Sequence, residues 1–252
     1  MDVLRIGSVM EDGKTDKLVA ETITKQKSLW NASFSHGREP NPDAKRSVAQ
    51  WWEYIEKNYC ESQRYYHTLQ HVDAMIRLLH KHYTKFPCSP PFACRAVEVA
   101  IFFHDLIYNP KAGDNEEQSA EAFMQFAKDH LTDDEDFSQD CIDTIYDWIL
   151  ATKHHCTPEH NENFGTGAKH FFLDLDLEVL GRPPAEYEIY ANQIRKEYSH
   201  IPDVDFRVGR AKVLKKFLER NRIFATELFY KTYESQARQN IQDEIRKLLG
   251  SG

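Results

Sequence analysis

The chain has 252 residues, with 40 Asp and Glu against 32 Lys and Arg, for a net charge of −8. A surface of that sign repels polyanions, and no dense run of Lys or Arg offsets it, so binding of long nucleic acid is disfavoured as the main function. With 41% hydrophobic residues, 15 Phe, 12 Tyr and 4 Trp, the chain has apolar material for a substantial core and lacks the polar bias of a disordered sequence.

The length suits one large domain or two small ones. The five cysteines (Cys60, Cys88, Cys94, Cys141, Cys156) form no CxxC and read as free thiols. No run approaches ~18 apolar residues, so no membrane-spanning helix is expected. The N-terminus carries Asp2, Arg5, Glu11 and Asp12 rather than an apolar signal core, and a cytoplasmic protein is expected.

Apolar residues recur at helical spacing almost throughout, and alternating strand patterns are scarce. After a polar lead-in over 1–15, possible disorder included, a first amphipathic helix is expected from Asp16 to Phe34. The stretch from His36 to Pro42 holds two prolines and a glycine and reads as a loop. Ser47 is placed to cap the next helix, with Val48, Trp51, Trp52, Ile55 and Tyr59 on one face. Another helix begins near Thr68 and carries Val72, Met75, Ile76 and Leu79. Prolines 87, 90 and 91 separate it from a segment, Phe92 to Ile107, that is apolar nearly all round and should be the central buried helix. Helices are further expected over 115–130, 136–153, 184–199, 207–220 and 225–249, with a shorter one around Leu173–Leu180. The stretch 161–167 reads as a mobile loop. Residues 16–252 are thus expected to form a single all-α domain, a helical bundle.

The informative residues are ionisable groups that interrupt apolar helices. His104-Asp105 follows Ile101-Phe102-Phe103, where an isolated charge is costly without a partner or a metal ion. An imidazole and a carboxylate together suit a transition metal; a core histidine beside a helix-end carboxylate is the plainer option. His67 and His71, four apart, share one face if both are helical, so one can bind metal while the other meets substrate. In Leu173-Asp174-Leu175-Asp176-Leu177, carboxylates alternate with leucines. One of them should point inward; Asp174 has helix capping as its simpler role. Glu116 and Glu117 favour a helix N-terminus with Asp114 as its cap, and Lys153, His154 and His155 favour a helix C-terminus.

Taken together, these elements resemble the HD superfamily of metal-dependent phosphohydrolases, in the branch of predicted HD-type phosphohydrolases. The resemblance runs from about Trp30 to Leu249. It includes Phe-Phe-His-Asp-Leu-Ile-Tyr at 102–108, Asp-Asn-Glu-Glu-Gln-Ser-Ala at 114–120, Thr-Lys-His-His at 152–155, Leu-Asp-Leu-Asp-Leu-Glu-Val-Leu-Gly at 173–181 and Ile-Arg-Lys-Glu-Tyr at 194–198. It implies an HD-type helical domain with His71, His104, Asp105 and Asp176 as metal ligands. The implied ion is a divalent transition metal (Mn, Zn, Fe, Ni or Co), with Mg as the option for a second site. Tyr66-His67-Thr68-Leu69-Gln70-His71 also resembles the Tyr-His-Asn-x-x-His segment of cyclic-nucleotide phosphodiesterases, which implies His67 as general acid; Thr68 stands where that segment has Asn. By the same resemblance Glu116 approaches the attacking water, His155 contacts phosphate or a second metal, and Lys153 and Arg195 bind substrate phosphate. The expected substrate is a small phosphorylated molecule, a nucleotide foremost. An HD-fold di-iron oxygenase, with His154 or His155 as an added ligand, and a non-catalytic nucleotide sensor are the alternatives.

Overall fold

The computed structural model describes residues 3–34, 42–82, 84, 92–131 and 134–250, with side chains described for all of these except 3–16, 42–45, 92 and 93. The segment 36–41, Pro87, Cys88, Pro90 and Pro91 lie outside the described residues. The described residues form an all-α bundle of ten α-helices, with no strand among them. These are α1 (Val3–Ser33), α2 (Pro42–Tyr59), α3 (Leu69–Lys81), α4 (Phe92–Phe103), α5 (Asn115–His130), α6 (Gln139–Ala151), α7 (Ala168–Leu177), α8 (Pro184–Glu197), α9 (Asp203–Glu219) and α10 (Glu227–Leu249). Among the described residues, no helix is long and apolar enough to cross a membrane.

The expected central helix is central. In α4, Ala96, Val97 and Val99 through Phe103 are each at most 2% exposed, and α4 packs against α3, α5, α6 and α7. Trp30 of α1 sits edge-on to Phe102 at 5.3 Å and tilted against Phe126 of α5 at 5.1 Å, while Phe103 meets Phe126 at 5.1 Å. Such offset aromatic pairs add specific geometry to the area they bury. α1 is fixed to α3 by the buried Asp73, which accepts hydrogen bonds from Lys25 and Gln26 at 2.6 Å each.

Several boundaries differ from the sequence expectation. α1 covers the expected 16–34 as far as Ser33 and continues back to Val3. α2 begins at Pro42, so Ser47 lies inside the helix; its hydroxyl faces Nε2 of His130 at 2.8 Å instead of capping. Asp114 precedes α5 without a capping bond from its side chain; Asn115 ties that corner by bonding the backbone of Asn109. Ser138 does cap α6, accepting from Cys141 N. The stretch 161–167 is tied to its neighbours: Gly165 N–H donates to Ala225 O at 2.9 Å and the Arg222 guanidinium lies over Phe164.

Two differences bear on the site. α3 starts at Leu69 with Thr68 as N-cap in extended backbone, its side chain accepting from Gln70 N, so His67 lies outside the helix rather than on a shared face with His71. α4 ends at Phe103, so the doublet follows the helix rather than lying inside it. His104 N–H still reaches Ala100 O. The carbonyls of Asp105 and Leu106 are instead taken by the fully buried Arg64 guanidinium at 2.6 and 2.7 Å. That charge-assisted fork substitutes for the helical bonds the chain gives up on turning away.

Candidate metal centre

Three chain segments converge at the ends of α3, α4 and α7. His71, in the first turn of α3, is on the helix side facing the core and is 5% exposed; His104 is 1% exposed. The Nδ1–H of His104 donates to Ile101 O at 2.9 Å, which fixes the ring and leaves Nε2 directed into the cluster, where it lies 3.2 Å from Nε2 of His71. Asp176 Oδ1 lies 2.9 Å from His71 Nε2 and 3.7 Å from His104 Nε2. Asp105 Oδ2 is 3.0 Å from His104 Nε2 and 4.0 Å from His71 Nε2.

These spacings fit a shared cation. Ligand bonds of about 2.1 Å put neighbouring donor atoms roughly 3.0–3.4 Å apart at octahedral or tetrahedral angles, and farther apart at wider ones. The ligand atoms of His71, His104 and Asp176 all fall within 4.8 Å of one another. The two imidazoles and the Asp176 carboxylate form a group that could hold a first-row transition metal, with Asp105 beside it against His104. In the bare chain, burial disfavours charge on every member. His104 is nonetheless held protonated well above the usual imidazole range, because Asp105 and Asp176 outweigh its burial. His71 is driven below that range by burial, which outweighs Asp176. Both carboxylates stay below the usual range despite burial, because the His104 imidazolium attracts them. The bare cluster thus sets two carboxylates against one imidazolium, a net negative charge that favours a cation.

The alternation in α7 resolves one open choice. Asp174 and Asp176 point to different neighbours. Asp174, fully buried, accepts from Ala225 N and Thr226 N at 2.8 Å each and from Thr226 Oγ1 at 2.6 Å. It therefore holds the start of α10, a capping role for a helix other than its own. Burial, only partly offset by those hydrogen bonds, raises its pKa to about 7.

His67 reaches the centre by a different route. Its Nε2 is 4.0 Å from Asp105 Oδ2, and its ring stacks on Tyr108 at 4.2 Å. Glu197, at the last residue of α8 and 3% exposed, organises this side. Its Oε1 accepts from the consecutive backbone N–H groups of Tyr65, Tyr66 and His67 at 2.7, 2.7 and 3.1 Å. Its Oε2 accepts from His67 Nδ1 at 2.7 Å and from the Tyr108 hydroxyl at 2.9 Å. Since a carboxylate only accepts, Nδ1 of His67 carries the proton and Nε2 faces the cluster. Burial lowers the proton affinity of His67, but Asp105 and Glu197 together raise it past the ordinary value. No local pattern marks Glu197, since its partners lie 89 to 132 residues away; it sits inside the Ile194–Tyr198 segment beside Arg195.

The remaining expected site residues divide. His155 joins the cluster: its Nε2 donates to Asp176 Oδ2 at 2.6 Å, on the carboxylate oxygen not facing His71. Lys153 is engaged with Glu117 Oε1 at 2.5 Å and Gly113 O at 2.8 Å. Glu116 lies in the first turn of α5 and has no hydrogen bond to the ligand set among the described residues. Arg195 does not face the cluster. Its guanidinium donates to Tyr198 O and Ile201 O at 2.8 and 3.1 Å and lies 4.5 Å over Phe206, closing the C-terminal end of α8.

Compared with known protein families, curated proteins and solved structures, the chain matches no family model, no curated protein and no solved structure.

Proposed function

We propose that this chain is a divalent-metal-dependent phosphohydrolase of the HD type, acting on a nucleotide or another small phosphate ester in the cytoplasm. The observation that carries the reading is the joining of two separately built parts: a His71, His104 and Asp176 group with Asp105 beside it, and a protonatable His67 anchored by Glu197 at its edge. His71, His104, Asp105 and Asp176 would hold the ion. Bound there, a divalent cation supplies Lewis acidity to a phosphoryl oxygen and lowers the pKa of an attacking water.

The rest follows from the chain's own groups. Asp105, partly accessible at its carboxylate, accepts a hydrogen bond from the attacking water and sets its direction. His67, with Nδ1 fixed on Glu197, presents Nε2–H to the departing oxygen and transfers a proton to it. The stack on Tyr108 keeps the imidazole plane from rotating away. Lys153, paired with Glu117, becomes a phosphate contact only by exchanging that partner.

The test is phosphate release over a panel of nucleotides and small phosphate esters, with Mn2+, Zn2+, Co2+, Ni2+ or Mg2+ added. Exchange of His104 or Asp105 for Ala is expected to abolish turnover and metal content together; a variant that turns over without metal would sink the reading. The nearness of His155 to the cluster keeps the di-iron oxygenase as second reading, in which His155 would give up its hydrogen bond to Asp176 to serve as the added ligand. Stoichiometric iron with oxygen-dependent substrate loss, and no phosphate release, would select it.

A further inference from the structure

His155 is the one described residue other than glycine with positive φ, at 46°. This left-handed backbone is uncommon for a side chain with a Cβ and persists only where its surroundings impose it. Here the geometry is imposed from two sides. His154 and His155 both have their N–H groups on Ala151 O, at 3.3 and 2.9 Å, winding the end of α6 tightly. Their carbonyls point outward into the guanidinium of Arg220, which donates from Nη1 to His155 O at 2.6 Å and from Nη2 to His154 O at 2.7 Å. The consequence of that turn is to bring Nε2 of His155 to 2.6 Å from Asp176 Oδ2.

Arg220 is itself held. Its ring neighbour is Phe217 at 4.5 Å. Its own carbonyl and that of Asn221 accept from Arg238 Nη2 at 2.8 and 3.0 Å, and Arg238 is fixed by Glu234. A few residues on, Ala225 and Thr226 hold Asp174 on the same helix as Asp176. The segment 220–226 therefore contacts the metal cluster's supports at two points, one through His155 and one through α7.

We propose that Arg220 is a positioning residue: by clamping the carbonyls of His154 and His155 it holds His155 in its left-handed turn, and His155 in turn orients the Asp176 carboxylate toward His71 and His104. The role rests on the reading of the cluster as a metal site, and its effect on Asp176 is also visible without metal. A hydrogen-bonded partner that aims a ligating carboxylate changes metal affinity by about 10–100-fold when removed.

The experiment uses the full chain and Mn2+ alone, by calorimetric titration, with Arg220→Gln, Arg220→Lys, His155→Ala and the double variant His155→Ala/Arg220→Gln. Arg220→Gln is expected to weaken Mn2+ binding about 10–100-fold. Arg220→Lys, which keeps charge but not the two-carbonyl fork, recovers part of this. In the His155→Ala background, Arg220→Gln causes no further loss, because the effect passes through His155. In parallel, proton NMR of the metal-free chain reads the His155 Nε2–H as a downfield, slowly exchanging resonance that His155→Ala deletes and Arg220→Gln loses. Equal Mn2+ affinity in Arg220→Gln and the unaltered chain overturns the proposal and leaves the metal reading intact. So does an equal loss with and without His155, which marks Arg220 as a fold brace only. Absence of Mn2+ binding by the unaltered chain overturns the metal reading, and persistence of the His155 resonance in Arg220→Gln then overturns the positioning role as well.

Discussion

Replacing Glu197 with Gln removes one charge and almost no volume from the centre of the His67 arrangement. In the native chain the Glu197 carboxylate accepts five hydrogen bonds, three from consecutive backbone amides and one each from His67 and Tyr108. Burial alone would raise its pKa; the His67 bond and charge, with the backbone amides, bring it down to about 2 from 4.5. That difference corresponds to about 3 kcal/mol of folding stability at neutral pH. The sign is that of a depressed acid: the contribution is complete above pH 4.5 and is lost as pH falls toward 2. An amide cannot reproduce it, because whichever way the introduced side chain turns, its NH2 meets either the backbone N–H row or the His67 and Tyr108 donors. At ~2–4 °C per kcal/mol for a chain of this size, the melting point is expected to drop roughly 6–12 °C at pH 7. The gap to the unaltered chain should narrow below pH 4.5. Without the Glu197 charge, His67 loses one of the groups that raise its pKa against burial, and that pKa should fall in an NMR titration, with its resonance assigned by His67→Asn. A variant that melts within about 1 °C of the unaltered chain at pH 7, with the His67 titration unmoved, would refute this reasoning.

Other outcomes follow from the same contacts. Asp174→Asn is expected to lower stability by about 1–3 kcal/mol, because its NH2 must face the N–H of Ala225 or of Thr226, while metal content is kept; Asp176→Asn is expected to lose metal and keep the fold, as read by elemental analysis and circular dichroism. Gly181→Ala would place a Cβ 2.5 Å from Tyr233 Cβ and 2.9 Å from Tyr233 O, where backbone cannot yield easily; a loss of about 1–3 kcal/mol in urea unfolding is expected. His160, fully buried, has its pKa lowered from 6.5 to about 4, chiefly by burial. Its neutral form is the folded one, so stability should fall as pH drops from 6.5 toward 4; His160→Gln should flatten that part of the pH–stability curve.

The helical periodicity made the bundle legible, and the segment 92–103, apolar except for Arg95 and Glu98, identified the helix at its centre. The doublet was legible for the same reason: charge at the end of such a run needs compensation, and His104 and Asp105 find it in each other and in Asp176. The choice between Asp174 and Asp176 was not legible, because it depends on which side of α7 meets α10 and which meets α3. The place of His67 beside His71 does not come from helical spacing. His67 approaches His71, with ring centroids 6.3 Å apart, through an extended segment held by Glu197 rather than along a helix face. Glu197, Arg64 and Arg220 act on backbone groups far away in sequence, and no local pattern encodes such partners. Arg195 shows the converse: a cation close to the site in sequence order, whose bonds close its own helix end.

The most direct test of the central claim is calorimetric titration of the metal-free chain with Mn2+, run beside the His104→Ala variant. If His71, His104, Asp105 and Asp176 form a metal site, the unaltered chain binds at least one ion per molecule. The His104→Ala variant, still folded by circular dichroism, then loses that binding. Failure of the unaltered chain to bind, or equal binding by the variant, would contradict it.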